Sequence, residues 1–278
     1  MITQEITEIV EVRMGYEFRI LHLYHDLMNL YGDWANALAL ARELIARGHE
    51  VAVDKRSVGG DADFNCYDIV FIGSGTEWSQ HACMLDLARY KDALIEQIEA
   101  GMPVIATGNA HELFGHAVTS ADGMRFGALG LLDFEAVQEN TRVTGDCVCR
   151  AAFLSEKLIG FINRSGRGQE GSIERPFIME LGPGANDQTS SEGIHYKNLL
   201  GTYMTGPILV RNPPLLRYVA DIMVDRKKAK QASTKQAGEQ ASTKQSVGSS
   251  PRSDQFFAHQ EAAYRMALTE LSARIGKK

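Results

Sequence analysis

The sequence predicts an α/β fold: a mostly parallel sheet covered by helices on both faces, followed by a basic linker and one further amphipathic helix. Three observations carry this. Short apolar runs alternate with segments of helical periodicity over the first 225 residues, two of those runs end in glycine-rich turns, and a long polar stretch separates a last helical pattern from the rest.

In chain order, FRILHLY (18–24) reads as a short strand. WANALALARELIARGHE, from Trp34, is a helix with Asp33 as its cap and Gly48 near its end. EVAVDKRSV is a second strand, and YDIVFIG a buried third one running into Gly73 and Gly75. Residues 77–100 carry a helix, MPVIATG is another buried strand, and a turn and short helix come after it. Strands separated by helices at these lengths imply right-handed crossovers and a parallel sheet. After about residue 125 the pattern predicts shorter strands with many glycines, as an antiparallel extension. Residues 226–253 hold seven Lys or Arg against one Glu and no Leu, Ile, Phe, Tyr, Trp or Met, and QASTKQ occurs twice. Such a stretch buries too little to offset the entropy of ordering, so it reads as a flexible basic linker, or else as an arm for an anionic partner or membrane surface. In 254–278, Phe257, Tyr264, Leu268, Leu271 and Ile275 share one helical face, with Asp254 as cap and Lys277 and Lys278 at the C-terminal end. That face is expected to pack back on the main body. The division is thus 1–225, 226–253 and 254–278.

The 278 residues are 44% hydrophobic and 23% charged, values of an ordinary globular chain. No apolar run approaches the roughly 20 residues of a spanning helix, so no stable membrane insertion is expected, and the start lacks the pattern of a signal peptide. Cys66, Cys83, Cys147 and Cys149 are too few and scattered for a disulfide framework and suit a reducing, cytoplasmic compartment. A net charge of -6, and -12 outside the basic stretch, argues against general nucleic-acid binding.

In sheets of this kind ligands sit beyond the carboxyl ends of the strands. Two turns lie there: Ile72-Gly73-Ser74-Gly75 and Thr107-Gly108-Asn109-Ala110. Each can present backbone N–H groups to an oxyanion or carboxylate, though glycines at strand ends are often simple turn residues.

The blocks YHDLMNLYGDWAN, FIGSG, HELFG, FGALGLLDF, NTRVTG, GFINRSGR and EGIHYKNLLGTYMTGPILVRNPPL succeed one another between residues 18 and 225. In this order they resemble the CobB/CobQ-type class I glutamine amidotransferase domain, and within it the glutaminase subunits of lipid II isoglutaminyl synthases. The resemblance implies a flavodoxin-like class I amidotransferase fold. It also implies a heterodimer with a Mur-ligase-like partner, which activates a carboxylate with ATP and receives ammonia from glutamine. The amidated group in that family is the glutamate of the peptidoglycan stem peptide. No cofactor or metal is implied.

Family chemistry needs a cysteine at the strand–turn–helix elbow and a histidine to take its proton; the thiolate attacks the glutamine amide. The family elbow reads Cys-Gly-Gly-aromatic-Gln-Leu-Leu-Gly. Counting back from Leu113-Phe114-Gly115 puts Gly108 at the nucleophile position. The family histidine lies in Gly-Thr-Tyr-Leu-His-Gly-Pro, where this chain has Thr205. Both halves of the dyad are substituted. Thr107 is one residue off the elbow tip with no clear base, His111 reads as a surface or capping residue, Cys83 as a core thiol, and Cys147 with Cys149 lacks the second pair a zinc site requires. The resemblance makes Arg142 the arginine that holds the substrate α-carboxylate, a bidentate task lysine cannot perform. Otherwise Arg142 is a surface arginine in a strand-edge turn. Gly75 and Asn109, one in each turn, are the further substrate-binding candidates. Two functions are expected: a subunit without glutaminase activity, serving as scaffold or glutamine-binding partner, or an active glutaminase with a non-standard nucleophile.

Overall fold

The computed structural model describes residues 15–168, 171–236 and 254–277. Residues 1–14, the second QASTKQ copy within 237–253, and Lys278 lie outside the described residues. The elements run β1 (Glu17–Leu23), α1 (Trp34–Ala46), β2 (Glu50–Arg56), β3 (Ile69–Ile72), α2 (Glu77–Leu87), α3 (Lys91–Glu99) and β4 (Val104–Thr107). Then come β5 (Ala117–Thr119), β6 (Arg125–Gly127), β7 (Glu135–Ala151), β8 (Leu158–Gly168), β9 (Phe177–Leu181), β10 (Ser191–Glu192), β11 (Ile194–Tyr196) and β12 (Leu199–Thr202). The helices α4 (Ile208–Arg211), α5 (Pro213–Gln236) and α6 (Asp254–Ser272) close the chain.

Six strands form the first sheet in the order β11-β12-β4-β3-β1-β2, parallel throughout except for the edge strand β11. Its inner strands β12, β4, β3 and β1 are largely buried on both faces, so their apolar residues divide by the pleat. Phe18, Ile20, Ile69, Phe71 and Ile105 face α1 and α5. Leu21, Leu23, Val70, Ile72, Val104 and Ala106 face Cys83, Met84, Leu87, Leu94 and Ile98 of α2 and α3. The second sheet, β10-β9-β7-β5-β6 with β8 on β7, is antiparallel apart from the β5–β7 pair.

Four expectations are corrected. The helix expected over 77–100 is two helices joined by a 3-10 turn at Ala88–Tyr90, because Tyr90 leaves helical geometry (φ -113°, ψ 8°) and its hydroxyl donates to Gly60 O at 2.8 Å. Asp33 does not cap α1: Asn29 Oδ1 takes the Trp34 N–H at 2.8 Å, and the Asp33 carboxylate turns inward. The region after residue 125 contains the 17-residue β7, not only short strands; its glycines and a bulge between Gln138 and Val143 bend it without ending it. Finally, α5 runs on to Gln236, eleven residues into the basic stretch, since Lys, Arg, Gln and Ala are good helix formers and Lys227 reaches back to Asp68 at 2.7 Å and over the Phe18 ring.

The last helix does pack back on the body. Tyr264, Leu268, Leu271 and Ile275 lie against Val148, Ile159 and Leu181, and the Tyr264 hydroxyl donates to Lys157 O at 2.6 Å. Arg274 pairs with Asp146 at 2.6 Å, and Gln260 donates to Val210 O at 2.8 Å. Among the described residues no helix is long and apolar enough to cross a membrane.

Candidate functional site

The order β4-β3-β1-β2 reverses direction at β1/β3, and the chain leaving β1, β3 and β4 converges at one edge of the sheet. Such a reversal opens a crevice beyond the carboxyl ends of the strands. Gly108 stands at the tip of the turn after β4 with φ +59°, a left-handed backbone that favours glycine. It opens a 3-10 helix, Gly108–Phe114. A Cβ built on Gly108 would lie 2.3 Å from Ser74 Oγ and 2.7 Å from Ser74 Cβ. Ser74, in the turn after β3, therefore fills the volume a side chain at 108 would need. Gly73 beside it is required for a different reason: a Cβ there would meet Met28 O at 2.4 Å.

Beneath the elbow, the fully buried Asp33 carboxylate accepts the Ser74 N–H at 2.6 Å and the Thr107 hydroxyl at 3.1 Å. Burial pushes its carboxyl up to about 7 against these bonds. A carboxylate is thus beside Thr107, where the sequence offered no base, but Thr107 is itself fully buried. His111 is not at the surface: it is fully buried, its Nδ1 lies 2.8 Å from Gly108 O, and burial holds its ring down to about 3. Thr205 donates to Phe161 O at 3.0 Å and so is turned to the β8 backbone.

The five residues singled out by sequence do not all stand free. Gly75, Asn109, Arg142 and Thr205 line one cavity with Tyr31, Ser74, Glu77, Asn163, Arg164 and Ser165, and only about 10 Å³ of it is open. Gly108 does not line it but lies behind Ser74, which does. Arg142 lies in the bulge of β7, within the strand instead of a strand-edge turn. Its guanidinium donates to Glu77 Oε1 and Asn163 Oδ1, each at 2.7 Å, and to Asn163 O at 3.2 Å. Ser165 donates to the same Glu77 oxygen at 2.5 Å. The Gly75 N–H is taken by Asn109 Oδ1 at 3.0 Å. Asp33, Ser74 and Glu77 are site residues that sequence patterns do not single out; Ser74 had a signal, a side chain between two glycines in a turn facing the elbow.

A second buried layer supports the site. Glu112 accepts from Gln80 Nε2 at 2.7 Å and from the Tyr203 hydroxyl at 2.8 Å. Glu192, pushed up to about 7 by burial, accepts the Tyr203 N–H at 2.8 Å and the Thr202 hydroxyl. Arg164 lies over the Tyr203 ring and donates to the carbonyls of Gly166 and Gly184. Cys83 is a core thiol that burial pushes up to about 12, and burial also raises buried Cys147 and Cys149. Among the described residues no group of three or more His, Cys, Asp or Glu converges as a metal site.

A parallel sheet in this order, with its crevice walled by the turns after β1, β3 and β4 and an arginine opposite, defines an α/β protein of the amidotransferase type. Residues 19–213 match the CobB/CobQ-like glutamine amidotransferase domain, and the chain belongs to that family. It is 35% identical over 214 residues, 76% of this chain and 86% of the relative, to the lipid II isoglutaminyl synthase (glutamine-hydrolyzing) subunit GatD of Staphylococcus aureus. To the subunit of the same name from Streptococcus pneumoniae it is 36% identical over 202 residues, 72% of this chain and 78% of the relative. A solved glutamine amidotransferase superposes with a TM-score of 0.50 at 13% identity, over 73% of this chain and 98% of that one, which supports the fold. Helix α6 lies beyond the family match.

Proposed function

We propose that this chain is a non-hydrolysing amidotransferase-family subunit that associates with a Mur-ligase-like, ATP-using partner in amidation of the peptidoglycan stem peptide, in the cytoplasm. The curated relatives are named as glutamine-hydrolysing subunits of a synthase, which supports the pathway and a partner subunit. One observation carries the loss of hydrolysis. The elbow position bears no side chain, and Ser74 fills the space in which one would stand. The Thr205 hydroxyl, committed to Phe161 O, supplies no base. Thiol and base act as a unit, so their joint loss removes the acylation step altogether.

A second reading, an active glutaminase with an unorthodox nucleophile, is favoured only by the Thr107–Asp33 hydrogen bond. Ammonia release from glutamine, with and without the co-expressed ligase, decides between them. The expected result is no release above background and no covalent adduct from a diazo-ketone glutamine analogue. Mass spectrometry locating an adduct on Thr107 would establish the second reading. Co-purification of a Mur-ligase-like protein from the native cell is expected, and its absence would overturn the scaffold role.

A further inference from the structure

The cavity beside the elbow contains two groups of the kind glutamine carries at its two ends. A carboxylate, that of Glu77, is on Arg142. A carboxamide, that of Asn109, is on the Gly75 N–H at the mouth of the turn after β3. We infer that Glu77 and Asn109 are internal occupants of the former substrate pocket, a self-made plug that makes this subunit refuse free glutamine.

The plug is held from several sides. Glu77 sits in the first turn of α2, where Thr76 caps the helix by accepting the Ser79 N–H at 3.0 Å, so its backbone is fixed by the helix. Its Oε1 receives Arg142 at 2.7 Å and Ser165 at 2.5 Å, and with these partners its carboxyl lies below the ordinary range. Asn109 is fixed at its backbone by Gln80 Nε2, which donates to its carbonyl at 2.8 Å. The family motif has glycine where Asn109 stands, so the plugging carboxamide is supplied by this chain's own substitution. Arg142 has a second tether in Asn163, whose side-chain amide in turn donates to the Tyr31 hydroxyl at 2.9 Å.

The plug excludes a ligand by volume and by competition. On the elbow side the space still open, about 10 Å³, holds about one water and no amino acid. On their other side Glu77 and Arg142 border an open cavity of about 500 Å³ with Trp78, His81 and Gln138, so exclusion by volume acts only at the elbow. The Arg142–Glu77 pair is partly exposed and weak as an isolated salt bridge. It is nonetheless intramolecular, and a tethered group competes at an effective concentration of millimolar or more before preorganisation is counted. Free glutamine must displace two such groups at once.

This inference rests on the proposed non-hydrolysing role and on Arg142 as the substrate-carboxylate residue the resemblance implies, and the test separates the two. Full-length protein is titrated with L-glutamine by calorimetry and thermal shift, and ammonia release is followed on the same samples. The wild-type chain is expected to show no heat and no shift at millimolar glutamine. Glu77→Ala with Asn109→Gly is expected to bind glutamine at least about tenfold more tightly than wild type, the worth of one charge-assisted carboxylate contact. Adding Arg142→Ala should abolish that gain. Should the double variant fold poorly, Asn109→Gly alone and the conservative Glu77→Gln are each expected to show a smaller gain, and the Gly75 amide resonance of labelled Asn109→Gly should move on adding glutamine. Wild-type binding as tight as that of the variants overturns the plug while leaving the non-hydrolysing role standing, as does a set of folded variants that bind no glutamine. Ammonia release by the wild type would instead overturn the non-hydrolysing role.

Discussion

The rim of the crevice and the layer beneath it are built from the same kinds of side chain and answer to different physics. At the rim, Glu77, Arg142 and Asn163 are partly exposed, and any bond they lose is replaced by water. Beneath, Glu112, Glu192, Tyr203 and Arg164 have almost no exposed surface, and each lost bond leaves an orphan. Single rim side chains can therefore be exchanged at little cost to the fold. Those beneath cannot, and the layer keeps its network. Exposure, more than side-chain type, thus decides which polar groups of this domain can be exchanged singly and which must stay together.

The sharpest way to break this comparison is Arg164→Ala. It strands the Gly166 and Gly184 carbonyls and removes the cation over Tyr203. The expected loss is about 3–5 kcal/mol, read by urea unfolding. A loss below about 1 kcal/mol would mean the buried layer is as forgiving as the rim.

Gly108→Cys tests the boundary between the two regions. Its Cβ runs into Ser74, so the single change is expected to cost about 1–3 kcal/mol, and Ser74→Gly in the same chain should recover most of it. Gly108→Cys with Thr205→His alone is then expected to remain inactive, since the thiol has no room until Ser74 is removed.

Asp33 offers a pH signature. Its folded carboxyl is raised to about 7 against an ordinary 3.8, so the folded state holds a proton that the unfolded chain has released. The stability this gives is complete below about pH 4 and is lost as pH rises through 7. Asp33→Asn lacks that term. The stability of wild type relative to Asp33→Asn should thus fall by about 1 kcal/mol per pH unit across that window, measured by denaturant titration at several pH values. The smallest effect is expected at the rim, where Arg142→Ala should change stability by less than about 1 kcal/mol.

Much of the fold could be read from the sequence because the parallel strands are short apolar runs punctuated by glycine, and burial on both faces leaves few alternatives for IVFI and VIAT. The length of β7 was hidden by the polar, glycine-bearing QENTRVTG, where a bulge replaces regular alternation. The extension of α5 was hidden because composition reports what a segment can bury, and a helix of Lys, Gln and Ala buries little. At the site, Gly108 and Thr205 were readable as substitutions in a motif. Asp33 and Glu77 were not, because their meaning depends on turns distant in sequence meeting at one edge, and Ser74 was marked only by its place between two glycines. Asp33 in particular looked like a helix cap and is a buried strut between β3 and β4.

The short approach of His111 to the Gly108 carbonyl has a spectroscopic consequence. A carbonyl can only accept, so Nδ1 must carry the ring hydrogen, and burial keeps the ring neutral until pH falls to about 3. His111 is therefore locked in one tautomer through the whole range in which an exposed imidazole gains its proton. In a nitrogen-detected spectrum it would be a motionless peak, an internal reporter of the elbow: any variant or partner that re-aims the Gly108 carbonyl would make that peak move or begin to titrate.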